Sequence, residues 1–154
     1  MKKIILFASL LLIASHSSGE DDYLPYNESA NAKVELANAI QLANYLNKHP
    51  KVSKVLHPAL PDFYNHNIWK RDFSGSSGLF SFTLDKKYSN RKIEKFCNRL
   101  KIFKIGYSWG SFESLITFPS IKERFFKNKF MGNLVRIYCG LEDSKDQIND
   151  IERA

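Results

Sequence analysis

Arg136 is the residue whose surroundings most plainly suit a chemical task. It lies in Leu134-Val135-Arg136-Ile137-Tyr138, an alternating stretch read as a β-strand with Leu134, Arg136 and Tyr138 on one face and Val135, Ile137 and Cys139 on the other. Upstream runs Gly106-Tyr107-Ser108-Trp109-Gly110-Ser111-Phe112-Glu113-Ser114-Leu115, a turn rich in glycine and serine. A guanidinium presents a planar fork that matches a carboxylate two bonds at a time. Glycines in a turn let backbone N–H groups approach the same anion without a side chain in the way. The pair suits carboxylate capture if a neighbouring strand carries the turn to the arginine. Spacing alone fits an ordinary arginine at a strand edge as well.

The other reactive residue types form no second constellation. His49, His57 and His66 match no metal-ligand spacing and bring no cysteine or paired carboxylate with them. His57, between a strand and Pro58, reads as a packed or capped histidine rather than a base. Cys97 and Cys139 sit at apolar positions and fit neither a disulfide framework nor a zinc motif, so both read as core. Residues 122–130 interleave basic side chains with phenylalanines, a pattern that can grip single-stranded nucleic acid. The plainer reading is a loop or short helix whose phenylalanines pack down while its lysines stay wet, and nucleic acid is not expected as a partner.

The elements that must position these groups can be read in order. The 154 residues, 44% hydrophobic, suffice for one core and argue against two full domains. Lys2 and Lys3 account for two of the seven net positive charges, and +5 on the rest is a modest bias towards anionic partners. Residues 1–19 have the charged, apolar and small-residue parts of a secretory signal peptide, too short to span a bilayer stably. Residues 20–32 form an acidic, proline-containing linker, and 33–154 the domain itself. Leu36, Ala39, Ile40, Ala43 and Leu46 recur at helical spacing up to Pro50. Val52–His57 reads as a strand closed by Pro58 and Pro61, 62–78 as a loop, and Leu79–Leu84 as a strand. Ser89 is placed to cap a helix whose stripe is Ile93, Phe96, Cys97, Leu100 and Phe103. A strand Lys104–Tyr107 enters the turn, Leu134–Cys139 is the last strand, and Asp143 caps a final helix bearing Ile148 and Ile151. The expected fold is α/β, a small mostly antiparallel sheet with helices on one face.

Four words in this order carry a resemblance: His57-Pro58-Ala59-Leu60-Pro61, Trp69-Lys70-Arg71-Asp72-Phe73-Ser74-Gly75-Ser76-Ser77-Gly78-Leu79-Phe80-Ser81-Phe82, the Gly106–Leu115 turn, and Arg136-Ile137-Tyr138-Cys139-Gly140-Leu141-Glu142-Asp143. Together they resemble the C-terminal small domain of the cystathionine beta-lyases, pyridoxal-phosphate enzymes of fold type I in the Cys/Met metabolism family. The resemblance covers about residues 33–154. It implies a sulfur amino acid as substrate, Arg136 as the group that holds its carboxylate, Ser108 and Trp109 as helpers, and Tyr107 in a supporting role. It also implies that the cofactor is held elsewhere. The family's cofactor-bearing lysine stands in a Ser-x-Thr-Lys type word in a larger N-terminal domain, and that word is not in this sequence. Lys87, followed by Tyr88 and Ser89, is similar to it only superficially and reads as a solvated turn lysine. The resemblance makes this a lyase portion with no catalytic residue of its own, inactive unless a separately encoded large domain completes it. Two other classes stay open, a non-enzymatic exported domain and a basic binding module. The leader points to export, whereas the family is cytoplasmic.

Overall fold

Alternation along two strands sets the architecture of the computed structural model, which describes residues 28–119 and 133–154. β2 (Leu79–Leu84) and β5 (Asn133–Tyr138) pair antiparallel, with Phe80 opposite Ile137 and Phe82 opposite Val135. These four side chains therefore fall on one face, and each is buried. β1 (Val52–Leu56) adds to the far side of β2, with Val55 opposite Phe82 and a bulge between Val52 and Lys54. On the other side of β5 lie β4 (Leu115–Thr117), antiparallel, and β3 (Lys104–Ile105), parallel to β4. Among the described residues the sheet order is β1-β2-β5-β4-β3. The expected mostly antiparallel α/β sheet is thus present, with one parallel pair at its edge.

Helices cover the apolar face. α1 (Glu28–Asn47) buries Ala39, Leu42, Ala43 and Leu46. It tightens at its end, where Lys48 and His49 donate to the Tyr45 and Leu46 carbonyls before Pro50. α3 (Asn90–Arg99) contributes Ile93 and Cys97, and α4 (Ser144–Arg153) contributes Ile151, all to the same core. The Asp143 side chain accepts the Lys145 N–H at 2.8 Å and so caps α4 as its spacing predicts. Ser89 stands at the α3 cap position but makes no side-chain cap bond.

The departures from expectation are short or peripheral elements. α2 (His66–Asp72) occupies part of the predicted 62–78 loop; none of its residues is buried, so it carries no periodic apolar signal. β4, not anticipated, is three residues long, below what alternation can reveal. The strand predicted over Lys104–Tyr107 ends at Ile105, and the α3 stripe ends at Arg99 although Phe103 is still buried. α1 begins at Glu28 rather than Lys33. The leader, the acidic stretch up to residue 27 and the basic run 122–130 lie outside the described residues.

Asp150 fixes the path from α3 into β3. Its carboxylate, nearly buried, accepts the backbone N–H groups of Lys101 (2.9 and 3.0 Å to its two oxygens), Ile102 (2.8 Å) and Phe103 (3.2 Å). Asp150→Asn removes the charge and one acceptor from that cluster. Urea unfolding of the full chain should show a loss of about 1.5–3 kcal/mol with an unchanged denaturant slope. Wild-type stability would mean that the N–H groups find water instead.

Candidate functional site

Arg136 emerges from the sheet face opposite the core. Register places it between Ser81 of β2 and Thr117 of β4, while its neighbours Val135 and Ile137 point into the helices. The turn that joins β3 to β4 comes up beside it. Its Nη2 donates to the Tyr107 carbonyl at 2.6 Å, and the guanidinium lies over the Trp109 ring at 4.9 Å from the centroid. The cation is thus held by a carbonyl dipole and a π face, both neutral. Among the described residues no carboxylate pairs with it. A guanidinium carries five N–H donors, so most remain available to an anion.

Backbone geometry makes the turn possible. Gly110, just after Trp109, adopts φ +84, which L side chains seldom accept. The course of the turn is fixed further along by the Tyr138 hydroxyl, which donates to the Ser111 carbonyl at 3.0 Å. Tyr138 shares the Arg136 face, as alternation predicts, but its grip on the turn leaves no mark in the sequence. The turn remains open to solvent: Tyr107 is 72% exposed, Phe112 64% and Trp109 43%, with Ser108 exposed between them.

The structure therefore brings together Arg136, the Tyr107 carbonyl and Trp109, with Ser108 in the same turn. Lys87 is elsewhere. It sits in the turn after β2, 3.5 Å from Asp85 and over the Tyr88 ring, as expected of a solvated turn lysine. What the Arg136 site offers is a guanidinium with neutral partners beside an open turn.

Comparison with known proteins adds a family. The pattern defining Cys/Met metabolism PLP-dependent enzymes matches residues 31–154. The chain is 41% identical over 121 residues to cystathionine beta-lyase MetC of Escherichia coli, covering 75% of this chain and 30% of that protein. It is 42% identical over 120 residues to an L-alanine/L-glutamate racemase of Wolbachia pipientis, with the same coverage of each. A crystal structure of a putative O-acetylhomoserine (thiol)-lyase from Campylobacter jejuni, containing N'-pyridoxyl-lysine-5'-monophosphate, superposes with a TM-score of 0.69 at 28% identity. That match covers 81% of this chain and 28% of the other. The chain spans about 30% of the length of the curated relatives it matches.

Both thiols and His57 belong to the core. Burial pushes the Cys97 thiol up to about 11 and the Cys139 thiol further still, which keeps both protonated and inert. His66 touches the Pro58 carbonyl, and His49 lies 3.9 Å from Glu152; no metal-binding group of three donors exists among the described residues. His57 is fully buried, packs edge-on to Phe80 at 5.5 Å, and accepts the Ala59 N–H on Nδ1 at 3.2 Å. It is a packed histidine, and burial lowers its pKa from 6.5 to about 4. The neutral form is therefore native, and the unfolded chain binds the extra proton between pH 6.5 and 4. Stability from this group is complete above pH 6.5 and is lost as pH falls towards 4, by about 3 kcal/mol in all. Urea unfolding across that window should show the slope, and His57→Leu should abolish the one-proton part of it. An unchanged slope in the variant would assign the acid sensitivity to other groups.

Proposed function

We propose a function from the premise that this chain belongs to the Cys/Met metabolism PLP-dependent enzyme family: it is the substrate-carboxylate domain of a carbon–sulfur lyase that cleaves L-cystathionine to homocysteine, pyruvate and ammonia. The observation that carries the reading is Arg136, a cation without a counter-charge among the described residues, braced by Tyr107 and Trp109 beside an open turn. A substrate carboxylate would supply the missing charge.

The division of labour follows from chemistry. Pyridoxal phosphate, when bound, supplies electron withdrawal from the substrate's Cα. The residues of this chain hold and orient. Two bonds from the guanidinium fix the carboxylate plane, and Cα is attached to that plane, so clamping it decides which Cα bond is presented for cleavage. Trp109 covers one side of the guanidinium, which strengthens the pairing, and Ser108, exposed between Tyr107 and Trp109, carries a hydroxyl and an N–H that would add a donor. The exposed apolar side chains Ile105, Tyr107, Trp109 and Phe112 around this opening suit burial against a cofactor-bearing domain. That domain corresponds to the remaining length of the relatives, in the same polypeptide or a separate one.

A second reading has a specific support, the 42% identity to a racemase. Racemisation and β-elimination both begin by loss of the α-proton, and both need the carboxylate held. The anchor is common to them, so the product decides between the two.

The experiment is a graft: residues 33–154 replace the matching segment of the Escherichia coli lyase, and pyruvate and D-alanine are both assayed. Pyruvate release from L-cystathionine supports the lyase, and D-alanine from L-alanine supports the racemase. Arg136→Lys keeps the charge but loses the fork, and Arg136→Ala loses both. Each lost charge-assisted bond is worth about 1.5–3 kcal/mol, so kcat/KM should fall roughly ten- to hundredfold per bond while cofactor absorbance is unchanged. Undiminished kcat/KM in Arg136→Ala would refute the assignment. Separately, borohydride treatment of the 154-residue chain with pyridoxal phosphate should attach no cofactor selectively to Lys87.

A further inference from the structure

The turn that bears Ser108 and Trp109 ends at Ser114, which is fully buried. The Ser114 N–H donates to Glu142 Oε1 at 2.8 Å and its hydroxyl to Glu142 Oε2 at 2.7 Å, so both oxygens of one carboxylate close on one residue. The same hydroxyl accepts the Gly140 N–H at 2.8 Å and the Gln147 amide at 3.0 Å. The Ser114 carbonyl accepts the Lys104 N–H at 3.0 Å, and Lys104 opens the strand that enters the turn. Ser114 therefore ties the end of the turn to the strand that enters it. A second tie lies alongside: Leu141 N–H donates to the Phe112 carbonyl at 2.8 Å. The fit is close enough that a Cβ on Gly140 would run into that carbonyl.

Glu142 is well placed to be the fixed point. Its own carbonyl accepts the Asn38 side chain of α1 at 2.8 Å, and it directly precedes the Asp143 cap of α4. No described lysine or arginine forms an ion pair with it, so its charge is answered by N–H and O–H donors and by the positive end of α4. Such donors are directional, whereas an exposed ion pair tolerates many geometries.

We propose that Glu142 is a positioning residue for the carboxylate site, acting through Ser114 to set the pose of the 106–113 turn and so the seat of Trp109 and the Tyr107 carbonyl against Arg136. The proposal deepens the reading of that site given above and rests on it for its catalytic meaning. Glu142 touches neither Arg136 nor the substrate position. Its loss should act on the turn while the core beyond it stays intact.

The test reads the turn directly. The chain has two tryptophans, Trp69 and Trp109. Incorporation of 5-fluorotryptophan gives each its own fluorine resonance, assigned by Trp109→Phe. Glu142→Ala should shift the Trp109 resonance and raise its water-to-deuterium-oxide sensitivity, with Trp69 unmoved. Glu142→Gln, which can keep one of the two bonds, should fall between. Ser114→Ala should resemble Glu142→Ala and carries the test if that variant does not fold. Ile151→Ala, a core truncation, is the comparison: it should lower stability and leave Trp109 where it was. A Trp109 signal in Glu142→Ala and Ser114→Ala that coincides with wild type would overturn the proposal and leave Glu142 a merely stabilising residue. In the graft, Glu142→Gln should raise KM with little change in cofactor absorbance, and an unchanged KM would also count against it. The fluorine readout needs no turnover. If Arg136→Ala leaves kcat/KM intact while Glu142→Ala still moves Trp109, the carboxylate reading fails and the tie from Glu142 to the turn stands.

Discussion

A strand paired on both sides cannot shift by one residue without turning every side chain over, and β5 is such a strand. Bonded to β2 and β4, it must keep Val135 and Ile137 among the helices because nothing else fills those places. Arg136 is then obliged to stand on the opposite face. The register that buries the core is the same register that presents the guanidinium, so the two cannot vary independently. The parallel β3–β4 pair at the edge extends this constraint to the turn, which has to leave β3 and return to β4 within reach of Arg136.

Three acidic groups near this end are engaged by donors of the chain itself. Asp150 takes the N–H groups entering β3, Asp143 caps α4, and Glu142 closes on Ser114. Each anion is answered largely by backbone or hydroxyl donors. Arg136 is answered by a carbonyl and an indole. The chain as a whole is basic, and at this position its positive charge has been left with uncharged partners, which is the electrostatic condition for receiving an anion from outside.

Much of this was legible in sequence, and the reasons differ by element. α1, β2, β5 and α4 are long and half-buried, so their periodicity survives: Phe80 and Phe82, or Val135 and Ile137, alternate because one face is covered. The face shared by Arg136 and Tyr138 followed from the same parity. α2 was not legible because it buries nothing, and Ile68 within it is 49% exposed. β4 was not, because three residues hold no period. The partnership of Arg136 with the turn could be expected only as far as its residue types suit one another. The contacts that make it, from Tyr107's carbonyl and Trp109's ring, depend on β4 lying next to β5, and strand order is a long-range fact. Ser114 and Glu142 were visible as parts of words but not as partners, since 28 positions separate them.

The chain covers about 30% of its relatives' length, and that share holds a sheet that orients one arginine, a turn that braces it, and a carboxylate that holds the end of the turn. The central claim is that the arginine receives the substrate's carboxylate. The most direct measurement is a crystal structure of the grafted enzyme with an unreactive sulfur amino acid bound. The account predicts both carboxylate oxygens at about 2.7–2.9 Å from two guanidinium nitrogens of Arg136, with Trp109 still beneath it. A ligand whose carboxylate lies elsewhere, with no contact to the Arg136 guanidinium, would contradict it.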